Sequence, residues 1–76
     1  MSEIQAIMFS KNINEFGFKW TTQKAKQWLR DHNIYPIKSA RETPNYYRFR
    51  INDPKKYNSF ITKKTNLGID FIIGFS

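Results

Sequence analysis

Short apolar runs lie near both ends of the chain and predict β-strands. The first covers residues 4–9 and stops at the polar sequence Ser10-Lys11-Asn12. A run of this length matches a strand better than a helix. The last covers residues 69–75, where large apolar side chains occupy every second position, as on the buried face of a strand. We therefore predict an opening strand and a closing strand.

The clearest helical pattern lies between residues 21 and 33. Ala, Trp, Leu and His recur at positions 25, 28, 29 and 32, which is the i, i+3, i+4, i+7 spacing of one helical face. Thr21 or Thr22 can cap the start of this helix, and Asn33 can end it. We expect His32 to pack or to bond the helix end rather than to act in catalysis. Residues 12–20 read as a loop with aromatic anchors.

Residues 34–42 and 46–51 predict a hairpin around the turn sequence Thr43-Pro44-Asn45. In the second arm, a period of two places Tyr46, Arg48 and Arg50 on one face and the residues at 47, 49 and 51 on the other. The second of these faces is apolar and predicts the core. A three-residue turn would place Lys38 directly opposite Arg50, a like-charge pairing that is destabilising without an anion.

A second, shorter helix is predicted after Asn52-Asp53-Pro54, which resembles a cap followed by proline at the first helical position. Positions 57, 60 and 61 then share a helical face, and residues 62–68 form a polar connection. The predicted order is β-α-β-β-α-β. We therefore expect a single α+β domain over residues 1–76, with a small antiparallel sheet of about four strands against one main helix and a short second helix, ferredoxin-like or a variant of it.

The composition describes a small, basic, aromatic-rich protein. Its 76 residues include thirteen Lys and Arg against six Asp and Glu, for a net charge of +7, and 17% are aromatic. Cysteine is absent, which excludes disulfides and thiolate metal sites. No apolar run approaches the length of a membrane span, and no secretory signal is visible. We expect a soluble protein without membrane contact, in an intracellular location or a virion interior.

The sequence contains few residues of the types and spacings that catalysis needs. There is one histidine, the six carboxylates are scattered, and the three glycines stand far apart at 17, 68 and 74. General acid–base catalysis needs paired titratable groups, and phosphate loops need clustered glycines. We expect a protein that is not an enzyme and that holds no metal or cofactor.

Basic side chains on the predicted hairpin form the best candidate binding surface. Arg48 and Arg50 must project from one sheet face with Tyr46 beside them, and Lys38 and Arg41 lie on the other arm. Arginine binds phosphate in a bidentate manner and tyrosine stacks on bases, a combination suited to single-stranded nucleic acid. The alternative is an ordinary solvated face on which arginine stems cover tyrosine rings.

The first helix adds further positive charge through Lys24, Lys26 and Arg30. We expect these residues to extend the nucleic-acid footprint. Trp28 lies on the apolar stripe and is expected in the core. Trp20 precedes the helix cap, where it can be a hydrophobic staple or a partly exposed stacking platform.

Four segments carry a resemblance to a known family. They are Ile-Gln-Ala-Ile-Met-Phe from residue 4, Trp-Thr-Thr from residue 20 with Ala-x-x-Trp-Leu from residue 25, Tyr-Tyr-Arg-Phe-Arg from residue 46, and Gly-Ile-Asp-Phe-Ile-Ile-Gly-Phe from residue 68. The chain resembles a small basic domain of tailed-phage and large-DNA-virus proteins, which stands alone or accompanies head-assembly proteins. The resemblance implies a viral origin and a virion or anti-host role. It brings no catalytic residues, and Arg48 and Arg50 are the matched positions best suited to binding.

Two functional hypotheses follow from these patterns. The first is a non-enzymatic domain that binds DNA or RNA through phosphate contacts. The second is a protein-interaction module, either a virion component or an inhibitor that docks on an acidic host protein, with its charge steering association. In the second case the apolar strand at residues 69–75 is the candidate for pairing with a partner strand, if it lies at an exposed edge.

Overall fold

One five-stranded antiparallel sheet and one α-helix form the fold in the computed structural model, which describes residues 1–76. The elements are β1 (Ser2–Ser10), α1 (Thr22–Asp31), β2 (Arg41–Glu42), β3 (Tyr46–Arg50), β4 (Ser59–Lys64) and β5 (Ile69–Phe75). The spatial order of the strands is β2-β3-β1-β5-β4, so β1 is central and the sheet edges are β2 and β4. The predicted α+β class is confirmed, with five strands where about four were expected.

Helix α1 begins and ends where its local sequence predicts. The Thr21 hydroxyl accepts a hydrogen bond from the backbone N–H of Lys24 at 3.2 Å and caps the first turn. At the other end, His32 Nδ1 lies 2.8 Å from the carbonyl oxygen of Trp28. Asn33 follows with a φ of 56°, the left-handed conformation that commonly ends a helix. His32 therefore completes the helix end, as its position in the stripe indicates.

The core lies between α1 and the central strands. Its largest buried side chains are Phe9, Phe49, Ile7 and Leu29, and the rings of Phe9 and Phe49 meet edge to face at 5.6 Å. Trp20 is also buried, and its indole N–H donates to the Leu67 carbonyl at 2.7 Å. Trp20 is therefore a core residue, which removes the stacking-platform alternative.

Strand β3 divides its two faces as predicted, but the hairpin register differs. Phe49 is buried against the core, so Arg48 and Arg50 point to the opposite face. Arg41, not Lys38, belongs to the like-charge pair, because its partner across the ladder is Arg48. The physical reason is a tighter turn, in which the Thr43 N–H donates to the Tyr46 carbonyl at 2.8 Å and shifts the register by one residue.

The first arm of the hairpin is also shorter than predicted. Only Arg41 and Glu42 form a strand, and residues 34–40 run irregularly beside β3. One backbone hydrogen bond attaches this segment to β3, from the Ile37 N–H to the Arg50 carbonyl at 2.9 Å, and another joins the Ile34 N–H to the Leu29 carbonyl of α1. We refer to residues 34–40 as the edge segment.

The predicted second helix is present only as its cap and first turn. Asp53 and Pro54 start only a single 3₁₀ turn (Pro54–Lys56), in which the Asp53 carboxylate accepts from the Lys55 N–H at 3.0 Å. The chain then becomes extended and forms β4, which pairs with β5 along its whole length. The residues of β4 are rich in β-branched and aromatic types that favour strands. In addition, β5 offers a row of backbone groups that a helix would leave unpaired.

The path from β1 through α1 to β2 is a split β-α-β unit, because β3 lies between β1 and β2 and is antiparallel to both. The second half of the chain replaces the expected helix with β4. The ferredoxin-like arrangement is therefore not confirmed. Neither the length nor the apolarity of α1 suffices to cross a membrane.

Candidate nucleic-acid interface

A pocket lined only by polar and charged side chains lies at the β2 edge of the sheet. Its volume is about 220 Å³, and its lining consists of Lys38, Ser39, Arg41, Arg48 and Arg50. We call it the cationic pocket. Four of the five lining residues carry a positive charge at neutral pH, and the fifth offers a hydroxyl that both donates and accepts hydrogen bonds.

Three elements of local structure bring these charges together. Arg48 and Arg50 are two residues apart on β3 and so share a face. Arg41 of β2 lies directly across the ladder from Arg48. Lys38 and Ser39 belong to the edge segment, which the Ile37 to Arg50 hydrogen bond holds against the end of β3. The convergence therefore depends on strand pairing and not on proximity in sequence.

No carboxylate neutralises the cationic pocket. The structure contains two ion pairs, Lys11 with Glu42 at 2.6 Å and Lys56 with Glu3 at 3.8 Å, and neither includes a lining residue. Like charges directly opposite in a sheet repel each other, as Arg41 and Arg48 do here. The arrangement is therefore electrostatically unfavourable until an anion enters.

A buried glutamine positions Arg48. Gln5 is 1% exposed, and its side-chain NH₂ donates to the Asn52 carbonyl at 3.0 Å. Its amide oxygen accepts a long hydrogen bond of 3.4 Å from Arg48 Nη2. A neutral acceptor orients the guanidinium without removing its charge, and a bond of this length is weak. Arg48 therefore retains most of its capacity to bind an anion.

A second pocket of about 310 Å³ adjoins the first on the helix side and shares Lys38 and Ser39 with it. We call it the apolar pocket, because its lining includes Leu29, Ile34, Pro36, Ala40 and Phe49. Lys26 and Arg30 of α1 also line it. These two residues are one helical turn apart and therefore lie on the same face of the helix.

The sequence-based candidates divide into two groups in the structure. Five of them line one or both pockets: Lys26, Arg30, Lys38, Arg48 and Arg50. Two others do not. The Lys24 ammonium lies 4.6 Å from the centre of the Phe18 ring, a cation–π contact outside both pockets. Tyr46 shares the outward face of β3 but lines neither pocket.

Three lining residues with charged or hydroxyl-bearing side chains were absent from the candidate set. Arg41 was counted among the hairpin cations but not selected, and only the correct turn register shows that it faces Arg48. Ser39 and Tyr35 are ordinary residues of the edge segment in sequence, and no periodic pattern distinguishes them. Their role in lining the pockets depends on how residues 34–40 pass between α1 and β3.

Comparison with known proteins adds no relative from which a function can be transferred. No family model matches the chain, and neither a curated protein nor a solved structure is significantly similar to it. The functional argument therefore depends on the geometry of the two pockets.

Proposed function

We propose that the protein binds nucleic acid, with phosphate groups held in the cationic pocket. The observation that carries this proposal is the convergence of four positive side chains, without a carboxylate, in a cavity of about 220 Å³. Phosphate satisfies such a site because guanidinium groups bind its oxygens in a bidentate manner. It also relieves the repulsion between Arg41 and Arg48.

Each predicted residue has a definite part in this proposal. Arg48 and Arg50 grip phosphate, and Lys38 supports them from the edge segment. Lys26 and Arg30 continue the positive surface along α1, with Lys24 farther from the pockets. Tyr46 is adjacent to the arginines on β3 and offers a flanking ring. Contacts of this kind read the backbone and not the base sequence, so binding is salt-dependent and weakly sequence-specific.

The proposed activity is binding without catalysis, in the viral setting that the sequence resemblance implies. A basic domain of this size can coat, package or protect nucleic acid with no chemical step. The location follows its ligand, in the infected cell or in the virion interior.

Fluorescence polarisation with a labelled oligonucleotide tests the proposal. The double variant Arg48→Gln/Arg50→Gln should bind about tenfold or more weakly, because it removes charge-assisted hydrogen bonds. The slope of log Kd against log salt concentration should also fall by about one to two. Lys63→Gln/Lys64→Gln is the matched control, because it removes the same net charge from β4, outside both pockets.

The comparison of the two double variants decides the outcome. Equal losses in both would show that net charge alone drives binding and that the cationic pocket has no special role. Absence of any binding by the wild type at low salt would remove nucleic acid as the ligand.

A second candidate function is supported by the open edge at β4. All six residues of this strand are exposed, including Phe60 at 44% and Ile61 at 53%. The segment expected to offer an edge, residues 69–75, is instead β5, which lies between β1 and β4. An acidic protein could add a strand to β4, with Lys63 and Lys64 supplying the complementary charge.

The variant Thr62→Pro tests the edge directly. The Thr65 N–H donates to the Ile69 carbonyl, and pairing in an antiparallel ladder alternates. The Thr62 N–H therefore points away from β5, where proline blocks an added strand without breaking the native ladder. A protein partner recovered after nuclease treatment should be lost in this variant. Its retention would contradict binding at this edge.

A further inference from the structure

An aromatic side chain in the lining of the apolar pocket remains largely in solvent. Tyr35 is 69% exposed, although it lines the same cavity as the buried residues Leu29 and Phe49. Ligand pockets are lined mainly by apolar and aromatic side chains, and this ring would gain apolar contact when the cavity is filled. The cavity volume of about 310 Å³ leaves room for a planar group.

The two pockets together define what kind of ligand fits. Lys38 and Ser39 line both, so the two pockets meet at the edge segment, with the cationic pocket on the outer face of β3 and the apolar pocket on the helix side. A ligand that occupies both must carry a negative group and, a short link away, a flat group with an apolar face. A nucleotide unit within a strand has this form, with its phosphate and its base joined by one sugar.

We propose that the apolar pocket receives one unpaired base, stacked on Tyr35, while its phosphate lies in the cationic pocket. The protein then selects single-stranded over duplex nucleic acid. This inference rests on the proposed function. In a duplex each base is paired at its edge and stacked on both faces, so it reaches such a pocket only after unstacking. In a single strand the face of the base is free for an aromatic side chain.

Charges on the helix are consistent with a strand that continues past the pocket. Lys26 and Arg30 line the apolar pocket from α1. The arginines of β3 line the cationic pocket instead. A base in the apolar pocket would thus have positive groups available for the phosphate on each side of its sugar. Single-strand-binding proteins generally combine a positive track with aromatic stacking platforms in this way.

The test compares three probes of equal length and label: a thymidine single strand, an abasic single strand with the same phosphates, and a duplex. The wild type should bind the intact strand about tenfold more tightly than the abasic strand, since one stacked base typically contributes about this factor. Tyr35→Ala should remove most of this difference and leave abasic binding within about twofold. Tyr35→Phe keeps the ring and should restore the preference. Because residue 35 is largely exposed, neither variant should impair folding.

Several outcomes would overturn the inference, and they are distinguishable from failure of the proposed function. Equal binding of intact and abasic strands by the wild type would leave phosphate binding intact but exclude the base pocket. Loss of preference in Tyr46→Ala and not in Tyr35→Ala would place the base on the outer face of β3. Preference for the duplex, or displacement of the strand by a free mononucleotide at similar concentration, would contradict selection of a strand. If no probe binds, the proposed function fails as well.

Discussion

The two edges of the sheet carry similar positive charge and arrange it in opposite ways. At the β2 edge, Arg41, Arg48 and Arg50 converge on one pocket because strand pairing and a period of two bring them to one face. At the β4 edge, Lys63 and Lys64 are adjacent in one strand and therefore point to opposite faces. Basic side chains therefore line a common pocket only at the β2 edge, where the backbone brings them together.

The two halves also differ in what supports them. Phe49 connects β3 to the core beneath α1, so the β2 half is backed by the helix. Strand β4 contributes no residue to this core, and on the opposite face of the sheet its side is covered by a smaller contact, in which the Tyr57 ring lies over Gly74 of β5. We expect perturbations of the first half to affect the whole domain and those of the second half to have smaller effects.

The largest effect is expected from Phe49→Ala. Phe49 is 1% exposed, and removing a buried phenylalanine side chain typically costs about 3–5 kcal/mol. That loss is comparable to the total stability of a domain of this size, so the variant should be largely unfolded by circular dichroism. Phe60→Ala on β4, at 44% exposure, is the control and should lower the unfolding free energy by less than about 1 kcal/mol. Similar losses in the two variants would contradict the contrast between the halves.

Gly74→Ala should have the next largest effect. A Cβ at this position would overlap the Tyr57 ring, and overpacking of this kind costs about 1–3 kcal/mol. Urea denaturation of Gly74→Ala, Tyr57→Ala and the double variant measures the coupling. The double variant should be more stable than the sum of the single losses predicts, because the overlap is absent without the ring. Simple additivity would show that the ring is not the obstacle.

The same tyrosine should make stability depend on alkaline pH. Burial raises the pKa of Tyr57, and the hydrogen bond to Glu3 and the negative charge of Glu3 act in the same direction. As pH rises past the unfolded pKa of about 10, the unfolded chain loses this proton while the folded protein keeps it. The unfolding free energy should therefore fall with rising pH. Tyr57→Phe should remove this component of the pH profile, and Glu3→Gln should reduce it. An unchanged profile in both would contradict the assignment.

Arg41→Gln should change the unfolding free energy least, and the sign of this change tests whether Arg41 and Arg48 repel each other. Because Arg41 faces Arg48, losing this charge should stabilise the folded protein by a few tenths of a kcal/mol at low salt. The gain should disappear at high salt, where the repulsion is screened. The same variant should bind oligonucleotides more weakly. Lys63→Gln is the control and should change neither property appreciably. A destabilised Arg41→Gln would show that the three arginines do not repel one another in the free protein.

Much of the fold could be predicted because the relevant signals are local. The ends of α1 follow from Thr21 and Asn33, and the two faces of β3 follow from alternation over five residues. The second helix could not be rejected locally, since positions 57, 60 and 61 suit a helical face as well as a strand. Pairing with β5 favours the strand over the helix, because the backbone groups of β5 form hydrogen bonds with β4.

The candidate site likewise has some features that the sequence predicts and others that only the tertiary structure shows. The joint direction of Arg48 and Arg50 required only the period of a strand. The presence of Arg41 required the turn register, which is held by the backbone hydrogen bond from Thr43 to Tyr46 and by the hydrogen bonds of the Thr43 hydroxyl with Tyr46. Tyr35 could not be selected from the sequence, because nothing in residues 34–40 shows that this segment passes between α1 and β3.

By itself the sequence determined the sign of the charge, the α+β class, the position of α1 and the two faces of β3, since each depends on composition or on short-range periodicity. Only the tertiary structure decided which cations meet, which strand is the open edge, and that an apolar cavity adjoins the cationic one. These properties arise from pairing and packing between residues distant in sequence, and their free energies belong to the folded arrangement and not to any single segment.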